Sequence, residues 1–386
     1  MSALRPIRVL HAPAAVGGHA PGLAAAEREL GLDSTVVTVE EPPFGYAVDR
    51  VLAPPGTSPI LREVRRWREV VRARRCDVVH FNFGSSLLPL AYPASVSSAA
   101  ARAYARAVQL RDLALLRRAG KAIFVTYQGD DARQGEVCLE QLEISPAHEL
   151  GAAYSTPDLD RVKRRAIDAF ARVADGIFAL NPDLLRVLPP NATFLTYASV
   201  DPREWRASPK HATADPPVVL HAPTDRGTKG TRYVLEAFER LRAEGVAFEP
   251  LLVEGLSRAD ARAAYERADV LVDQLLYGWY GGVAVELMAL ARPVVAYIRE
   301  SDLHAVPAEM RAELPVVSAT PESIADVLRE LLTTRRHELP ELGHRSRAYV
   351  ERWHDPRTVA ADVVAAYERA LEMRRTSPSA RLRLPL

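Results

Sequence analysis

Residues 218–234, VVLHAPTDRGTKGTRYV, predict a strand, a glycine-bearing loop and the start of a helix. The first four residues are a short apolar run with β-branched side chains, which favours a buried strand. The apolar positions after the loop recur at i, i+3, i+4 and i+7, as a core-facing helix requires: Val234, Ala237, Phe238 and Leu241. This order predicts one unit of a parallel, doubly wound α/β sheet.

The loop of this segment carries groups that suit a diphosphate. A helix that follows a glycine-bearing loop presents unpaired backbone N–H groups at its positive end. Arg226 and Lys229 add two cations at the same point, and hydrogen bonds to charged groups typically contribute about 1.5–3 kcal/mol each. The segment lacks the GxxxxGK[ST] of a Walker A loop, and a solvated basic loop is the alternative interpretation.

A second strand-to-helix junction lies in residues 265–298, YERADVLVDQLLYGWYGGVAVELMALARPVVAYI. A strand ends near Asp273, and the aromatic, glycine-rich loop 277–282 opens another helix. Glu286 stands about one turn into that helix, among apolar residues. Because burying an unpaired carboxylate is very costly, Glu286 needs a hydrogen-bond partner. A ribose diol would supply two donors, and a pairing with a nearby Arg or Lys is the alternative.

The same alternation of short apolar runs and helical patterns extends over the whole chain. Strands are predicted at 7–11, 35–39, 77–81, 122–127, 176–180, 193–197, 218–221, 250–253, 270–273 and 294–298. Helices of the second half are predicted at 232–241, 258–267, 283–290, 321–332 and 356–373. The polar, proline-rich stretch 201–217 contains no strand pattern and predicts a linker, whose bounds we place at 206–217. We therefore expect two Rossmann-like, doubly wound domains with a cleft between them.

The composition is that of a globular protein and excludes several classes of function. The 386 residues include 50 Lys+Arg and 49 Asp+Glu, a formal net charge of +1, which argues against a nucleic-acid binder. No apolar run approaches the roughly 18–20 residues that span a bilayer, and the N-terminus lacks the apolar segment of a signal peptide, so we expect a cytoplasmic protein. Cys76 and Cys138 lie far apart and are expected to be small buried residues. No GxGxxG follows a predicted strand, which argues against an NAD-dependent oxidoreductase.

Four segments of the second half, taken in order, resemble the nucleotide-sugar half of the retaining glycosyltransferases of the GT-B fold (glycosyl transferases group 1, family 4-like): 224–230, 265–269, 278–286 and 289–295. They match a basic loop ending in Lys-Gly, a Y…ADV strand, a glycine-rich loop before a Glu-bearing helix, and an A-x-G-x-PVV strand. The first half matches more loosely. The resemblance implies an α/β protein of the GT-B fold, with two Rossmann-like domains that face each other across a cleft.

The resemblance also implies a function. The chain would be an enzyme that transfers a sugar from a nucleoside-diphosphate sugar to an acceptor hydroxyl with retention, in bacterial glycan or natural-product glycoside biosynthesis. Its parts would be an N-terminal acceptor-side domain, a linker, a C-terminal nucleotide-sugar domain, a helix that crosses back to the N-terminal domain, and a disordered tail: 1–205, 206–217, 218–355, 356–375 and 376–386.

Site residues follow from the positions that match the family. Arg226 and Lys229 would bind the donor diphosphate and Glu286 the ribose hydroxyls, and these three are the residues assigned to catalysis. The other donor-binding residues implied are Gly17, Gly18, Thr224, Gly230, Tyr280, Gly281, Gly282 and Val283. The acceptor-side candidates are His19, Asn82, Gln128 and Asp130. The partners implied are the nucleotide-sugar donor and a glycan, lipid-linked or small-molecule acceptor, with no cofactor, metal or nucleic acid.

Three positions depart from the family pattern. Gly278 stands where the first of two glutamates is common, so Trp279, Tyr280 or a backbone amide would take over its contact with the donor sugar. Ala291 replaces a usual glycine, and Gln128 replaces a usual histidine; glutamine can hydrogen-bond a sugar but does not shuttle protons. The resemblance implies that no base is needed there, because the leaving diphosphate takes the acceptor's proton on the same face.

These departures keep two alternatives open: a nucleotide-sugar-binding protein without turnover, and a sugar-nucleotide epimerase of the same fold. For the candidate residues, a surface position is the alternative for His19. A turn cap is the alternative for Asp130 and its neighbour Asp131.

Residues 61–75, LREVRRWREVVRARR, form a basic amphipathic helix pattern with a net charge of +5. Its apolar stripe consists of Leu61, Val64, Trp67 and Val71. We expect this stripe to pack on the sheet, with the arginines solvated. The alternative is peripheral contact with the inner face of an anionic membrane.

Overall fold

The structure is a computed structural model that describes residues 5–93, 98–206 and 215–376. The chain divides into two compact units. The first comprises the residues up to Gln134, Thr156–Ser199 and the residues from Pro356 onward; the second comprises Gly135–Ser155 and Val200–Asp355. Each unit contains one sheet, and every strand pairing in both sheets is parallel. The α/β class and the parallel sheets predicted from the sequence are therefore confirmed.

The first unit has seven strands: β1 (Arg8–Ala12), β2 (Asp33–Thr38), β3 (Arg50–Val51), β4 (Val78–Asn82), β5 (Ala122–Tyr127), β6 (Gly176–Ala179) and β7 (Thr193–Phe194). They lie in the order β3-β2-β1-β4-β5-β6-β7. The second unit has five: β8 (Val218–His221), β9 (Glu249–Leu252), β10 (Val270–Val272), β11 (Val294–Ala296) and β12 (Val317–Ser318). Their order is β12-β11-β10-β8-β9. In both sheets the order reverses near the first strand, the topology at which α/β proteins bind ligands.

The helices, in chain order, are α1 (His19–Glu29), α2 (Pro59–Ala73), α3 (Ala99–Val108), α4 (Arg111–Arg118), α5 (Gly135–Gln141), α6 (Pro146–Leu150), α7 (Pro157–Val173), α8 (Arg226–Lys229), α9 (Thr231–Ala243), α10 (Arg258–Arg267), α11 (Gly282–Ala289), α12 (Ala308–Ala312), α13 (Ile324–Leu332), α14 (Leu339–Trp353) and α15 (Pro356–Thr376). Within the described ranges, no helix combines the length and the apolar content that crossing a bilayer requires.

The boundary predicted at residue 205 does not coincide with the division between the units. Residues 135–155, which the sequence analysis assigned to the first domain, group with the second unit. The reason is local packing: Leu150 at the end of α6 fills the space beside Gly227, and the Glu149 carboxylate lies 2.6 Å from Nε of Arg232. Of the predicted linker, 207–214 lies outside the described residues, as does 377–386 of the predicted tail.

Helix α2 buries a different face from the one that the sequence predicted. The stripe residues Val64 and Val71 are 42% and 61% exposed, so the expectation that the stripe packs on the sheet is wrong for them. The buried side carries Glu69 with Val70, because the Glu69 carboxylate accepts a hydrogen bond from Arg50 Nη2 at 2.5 Å. Of the predicted stripe, Trp67 is the member that packs against the core. A charged side chain can face inward here because Arg50 and Arg72 both form ion pairs with its carboxylate.

A buried polar network crosses the first unit from α1 to α15. Glu27 accepts hydrogen bonds from His11 Nε2 at 2.8 Å and from the Tyr367 hydroxyl at 3.1 Å. His80 Nδ1 lies 2.5 Å from that hydroxyl, and His80 Nε2 lies 2.7 Å from Thr126 Oγ1. With the tyrosine donating to the carboxylate, His80 Nδ1 donates to the tyrosine and Nε2 accepts from Thr126. Burial lowers the pKa of His80 well below its ordinary value, which agrees with this neutral tautomer.

Replacing Tyr367 by Phe removes the hydroxyl that joins this network to α15. The Glu27 carboxylate and His80 Nδ1 each lose a partner in a site that water does not reach, so we expect Tyr367→Phe to reduce the free energy of unfolding by about 1–3 kcal/mol. Urea unfolding followed by circular dichroism measures the change. Glu368→Gln, an exposed neighbour on the same helix, is the control and should unfold as the wild type does. Equal midpoints for Tyr367→Phe and wild type would contradict the role of the network.

Candidate functional site

Residues 218–243 of the second unit form the strand β8, the short helix α8 and the longer helix α9. After β8, Asp225 caps α8 by accepting a hydrogen bond from the Thr228 N–H at 2.8 Å. Gly230 follows with φ +75°, a left-handed conformation that lets the chain leave α8 and enter α9 directly. Thr224, a predicted donor-binding residue, is exposed just before this turn. The predicted loop is thus largely one helical turn that ends at Lys229.

Lys229 and Arg226 point to different partners. The Lys229 ammonium donates a hydrogen bond to Gln274 Oε1 and lies 5.4 Å from the centroid of the Tyr277 ring. Arg226 instead forms a two-point ion pair with the Glu254 carboxylate, at 2.8 and 2.5 Å. The hydrogen bonds that Arg226 donates to the Glu254 carboxylate raise the pKa of Arg226, and the pair is exposed to solvent. The structure therefore brings Lys229, but not the Arg226 guanidinium, to the glycine-rich loop.

Two polar residues that the sequence analysis did not single out hold the glycine-rich loop. Asp273 and Gln274 follow β10 directly and are both buried. The Asp273 carboxylate accepts a hydrogen bond from the Gly281 N–H at 2.7 Å, and Gln274 Nε2 donates to the Trp279 carbonyl at 2.6 Å. A polar pair at the carboxyl end of a buried strand was the signal in the sequence, because ligands and the loops that bind them gather at that edge.

The backbone at Gly281 passes so close to three polar side chains that a glycine suits this position. A Cβ atom at Gly281 would lie 3.2 Å from Gln274 Oε1 and 3.4 Å from both Lys229 Nζ and Asp273 Oδ2. The backbone of the loop thus passes directly over the lysine, the amide and the carboxylate. Helix α11 begins at the next residue, and its N-cap residue, Gly281, has no side chain that could cap the first N–H groups. Gly282 and the half-buried Val283 form this first turn.

The aromatic residues of the loop belong to the core of the second unit. The rings of Trp279 and Tyr280 have their centroids 4.5 Å apart, and both side chains are buried. The Tyr280 hydroxyl lies 2.8 Å from His354 Nε2 and 3.1 Å from the Tyr349 hydroxyl. Neither side chain is therefore exposed as a substitute for the carboxylate that the family carries at position 278. Trp279 and Tyr280 therefore contribute their backbone groups, and not their side chains, to the surface of the loop.

A basic side chain, that of Arg299, occupies the space beside Gly278. Gly278 has φ +78°, and a Cβ atom there would lie 2.4 Å from Arg299 Nη1. The buried Arg299 guanidinium is held by Asp302 Oδ2 at 3.0 Å and by the Ile144 carbonyl at 2.6 Å. Both the backbone conformation and the space exclude a larger residue at 278. Glycine at 278 is therefore coupled to the position of Arg299.

Glu286 lies in the second turn of α11, the helix that the glycine-rich loop opens. Its side chain is buried between the fully buried Val285 and Leu287. Helix geometry places it about one turn beyond Gly282, in the middle of the helix. Lys229 and Gly281 lie close together beside Asp273 and Gln274, at the carboxyl end of β10. The assignment of these residues to a donor site stays a prediction.

In the first unit, the predicted residues fall at the carboxyl ends of β1, β4 and β5. Gly17 and Gly18 have φ +59° and +72° in a turn before α1. A Cβ atom at Gly18 would lie 2.5 Å from the Tyr46 ring, whereas Gly17 faces open space. His19, for which a surface position was the alternative, is instead fully buried, and its Nδ1 accepts a hydrogen bond from the Ala198 N–H at 3.1 Å. Burial, aided by His11, lowers the pKa of His19 to about 3.

The remaining acceptor-side candidates lie at the ends of neighbouring strands. Asn82 ends β4, is buried, and its Nδ2 donates to the His80 carbonyl at 3.1 Å. Gln128 follows β5, and its N–H donates to the Asp131 carboxylate at 3.0 Å. Asp131 is thus the turn cap, and burial raises its pKa to about 6. Asp130 is more exposed, with its carboxylate 3.4 Å from Arg133 Nη1.

Among the described ranges, no three His, Cys, Asp or Glu side chains cluster as a metal ion would require. Cys76 and Cys138 are both free thiols; Cys138 is buried and Cys76 is half-buried.

The crowding at Gly278 predicts a stability difference between two matched glycines. Gly278 and Gly245 share φ +78°, but a Cβ atom at Gly245 meets nothing within 4 Å. Gly245→Ala should reduce the free energy of unfolding by about 1–2 kcal/mol through backbone strain alone. Gly278→Ala should reduce it further, because Arg299 and its ion pair must also move. Urea unfolding of the two variants side by side measures this, and equal losses would contradict the packing described here.

Burial of His19 predicts a dependence of stability on pH. Its pKa is about 3 in the folded chain, against an ordinary 6.5, so the unfolded chain binds the proton between these values. Stability should fall as the pH drops from about 6.5 towards 3. His19→Asn keeps an acceptor for the Ala198 N–H without titrating, so it should lose less stability than wild type between about pH 7 and pH 5. Urea midpoints at the two pH values measure this, and equal losses would contradict it.

No family model matches the chain. Among curated proteins, it is 28% identical over 218 residues to the MMP alpha-(1->4)-mannosyltransferase of Mycolicibacterium hassiacum, a match that covers 50% of each chain. The chain thus spans about half the length of the curated relative it matches.

Among solved structures, the chain is similar to a sucrose-phosphate synthase from Thermosynechococcus elongatus. That likeness has a TM-score of 0.61 and 16% identity, and covers 97% of this chain and 100% of that one. It is also similar to the Anabaena protein HepE in complex with UDP-glucose, with a TM-score of 0.58, 12% identity and coverage of 94% and 100%. Both likenesses run over nearly the whole of each chain and include both parallel sheets. The chain therefore has the GT-B fold of these structures.

Proposed function

We propose that this chain is a retaining glycosyltransferase that moves a sugar from a nucleoside-diphosphate sugar to an acceptor hydroxyl. The observation that carries the proposal is the position of Lys229 against the backbone at Gly281, directly before the uncapped first turn of α11. An ammonium group and free N–H groups at a helix N-terminus form an anion site. HepE, similar in fold, is known in complex with UDP-glucose, which supports a nucleotide-sugar donor.

The donor diphosphate would bind at the Gly282 and Val283 N–H groups, in the first turn of α11, with Lys229. The ammonium has three N–H donors, so it would donate to a phosphate oxygen while it keeps its hydrogen bond to Gln274. Arg226 would join by leaving Glu254, because an exposed ion pair contributes little to stability and is easily exchanged. Glu286, on the same helix, would accept hydrogen bonds from the two ribose hydroxyls.

Stabilisation of the leaving diphosphate would then supply most of the catalysis. Departure of the diphosphate leaves an oxocarbenium-like sugar and concentrates negative charge on the phosphate oxygens, which Lys229 and the helix N-terminus stabilise. The departing phosphate oxygen takes the proton of the acceptor hydroxyl on the same face, so the anomeric configuration is retained. This route needs no protein base, in agreement with Gln128 at the family's histidine position and with a buried His19 whose lowered pKa makes it a weak base.

The first unit would supply the remaining contacts. Gly17 and Gly18 have the left-handed backbone that allows close approach to a phosphate or sugar, and we assign them to the donor. Asn82, Gln128 and Asp130 stand at the carboxyl ends of β4 and β5, and we assign them to acceptor hydroxyls. Asp130, the more exposed of the two adjacent aspartates, is the one suited to contact a ligand, because Asp131 is committed to its turn.

Nucleotide binding tests the proposal directly. A thermal-shift panel of UDP, GDP, TDP and ADP should identify one nucleotide that raises the unfolding midpoint by several degrees, since a ligand at about 100 times its Kd stabilises by about 2.7 kcal/mol. Lys229→Ala and Glu286→Gln should abolish most of the shift. Arg267→Ala and Glu266→Gln, exposed changes of the same kind in the second unit, should retain it.

Two results would contradict the proposal. If no nucleotide shifts the wild type, the anion site at α11 is wrong and only the shared fold remains. If one nucleotide shifts the wild type and all four variants alike, binding occurs elsewhere. Once one nucleotide is identified, its nucleotide sugar can be incubated with the protein and candidate acceptors. NMR of the product's anomeric proton then distinguishes retention from inversion.

A further inference from the structure

Three residues of the apolar stripe of α2, Val64, Trp67 and Val71, line a large groove within the first unit. The groove encloses about 1550 Å³, and its apolar wall includes Val64, Trp67, Val71, Leu90, Tyr92 and Tyr104. Trp67 and Tyr104 are fixed in place, because the Trp67 indole N–H donates to the Tyr104 hydroxyl at 2.9 Å. Ile60, at the start of α2, is 79% exposed at the same wall. Apolar side chains this exposed and this close together mark a binding surface.

The groove lies at the edge of the sheet where α/β proteins bind ligands. Its wall includes Ala15 and Val16, which follow β1 and lead into Gly17, and Thr38, the last residue of β2. Ser85 and Ser86, which follow β4, complete this side. Three strands thus end at the groove, and their carboxyl ends are the usual site of ligands in such sheets. The groove therefore adjoins the turn that the proposed function assigns to the donor.

Size and charge restrict what the groove can hold. Its volume exceeds the ~300–1,000 Å³ typical of a site for a compact small molecule, which favours an extended ligand. A second copy of the chain is disfavoured, because residues 61–75 carry a net charge of +5 and two such helices would repel each other. Arginines form part of the wall, but two of them already contact other groups of the chain. Arg66 donates to the Leu87 carbonyl at 2.8 Å, and Arg62 lies 3.4 Å from Glu63.

We propose that this groove binds the hydrophobic tail of an amphiphilic glycosyl acceptor, with the acceptor's hydroxyl-bearing head towards Gly17 and Gly18. The tail packs along Val64, Trp67 and Val71, and the burial of its methylene groups supplies the affinity. The identification of the ligand as an acceptor rests on the proposed function, whereas binding of the tail does not.

Butyl, hexyl and octyl β-D-glucoside, each below its critical micelle concentration, are the probes, and isothermal titration calorimetry on the full chain is the measurement. Each added pair of methylene groups should raise the affinity by up to about tenfold, as burial of apolar surface predicts. The double variant Val64→Asp/Val71→Asp should bind octyl glucoside at least about tenfold more weakly and lose the dependence on chain length. Val64→Gln/Val71→Gln repeats the test without added charge.

The control is Leu30→Asp/Leu115→Asp, which alters two apolar side chains of the same unit that are 46% and 41% exposed and lie outside the groove. It should bind the probes as the wild type does, and urea midpoints should show that all variants are folded. Affinities that do not depend on chain length, or that the control reduces as much as the groove variants, would overturn the proposal. Binding to phosphatidylglycerol vesicles that requires Val64 and Val71, without binding of monomeric glucosides, would also overturn it and assign the face to a membrane surface.

The same variants separate this inference from the proposed function. The groove variants should keep the full thermal shift with the nucleotide, because they leave the second unit unchanged. A nucleotide shift without chain-length-dependent binding refutes the groove alone. Chain-length-dependent binding without any nucleotide shift upholds the groove and refutes the transferase function.

Discussion

The hydrogen bond between the Lys229 ammonium and Gln274 Oε1 is the interaction on which the candidate donor site depends. It joins the end of α8 to the residue pair after β10, two segments that are 45 positions apart in the chain. Asp273, next to that glutamine, holds the Gly281 N–H, so the cation and the glycine-rich loop are fixed relative to each other by adjacent residues. A preorganised cation beside helix N–H groups needs little rearrangement when an anion arrives, which is the condition for strong electrostatic catalysis.

The first unit is organised around a different buried interaction. Glu27, His80 and Tyr367 connect a helix, a central strand and the last described helix through a network that is closed to solvent. Near the end of the same helix, Arg374 Nη2 lies 2.6 Å from the Asp175 carboxylate. Satisfied polar groups of this kind specify one arrangement of the helices more narrowly than apolar packing does, since any shift leaves a buried group unpaired. The carboxyl ends of β1, β4 and β5 are thereby held in register for the loops that follow them.

Much of this architecture could be predicted because it depends on local periodicity. The strand at 218–221 and the glycine-rich junction before α11 appear where the apolar runs and glycines predict them. The edge strands β3 and β12 have two residues each and are too short to show a period. The inward face of α2 was mispredicted because Glu69 is buried, and only its ion pair with Arg50 explains why. A long-range partner of this kind is not visible in local spacing.

The candidate site also combines residues that the order of the sequence predicts with residues whose roles only the structure reveals. The closeness of Lys229 and Gly281 could be expected from the order of segments, because that order fixes which strand ends share an edge. The assignment of Lys229, Gly281 and Glu286 to a donor site stays a prediction. The roles of Asp273 and Gln274 could not be expected, since they act through backbone groups of a loop whose conformation the sequence does not reveal. Likewise, glycine at 278 signalled a departure, but only the structure identifies Arg299 as the residue that occupies the space.

Hydrogen–deuterium exchange with and without a saturating nucleoside diphosphate directly tests whether the donor diphosphate binds beside Lys229 and α11. If the diphosphate binds where Lys229 meets the start of α11, backbone amides in 277–286 and 226–231 should exchange more slowly, while those of 60–72 on α2 should not change. Protection confined to other segments, or none at all, would contradict the account of the site.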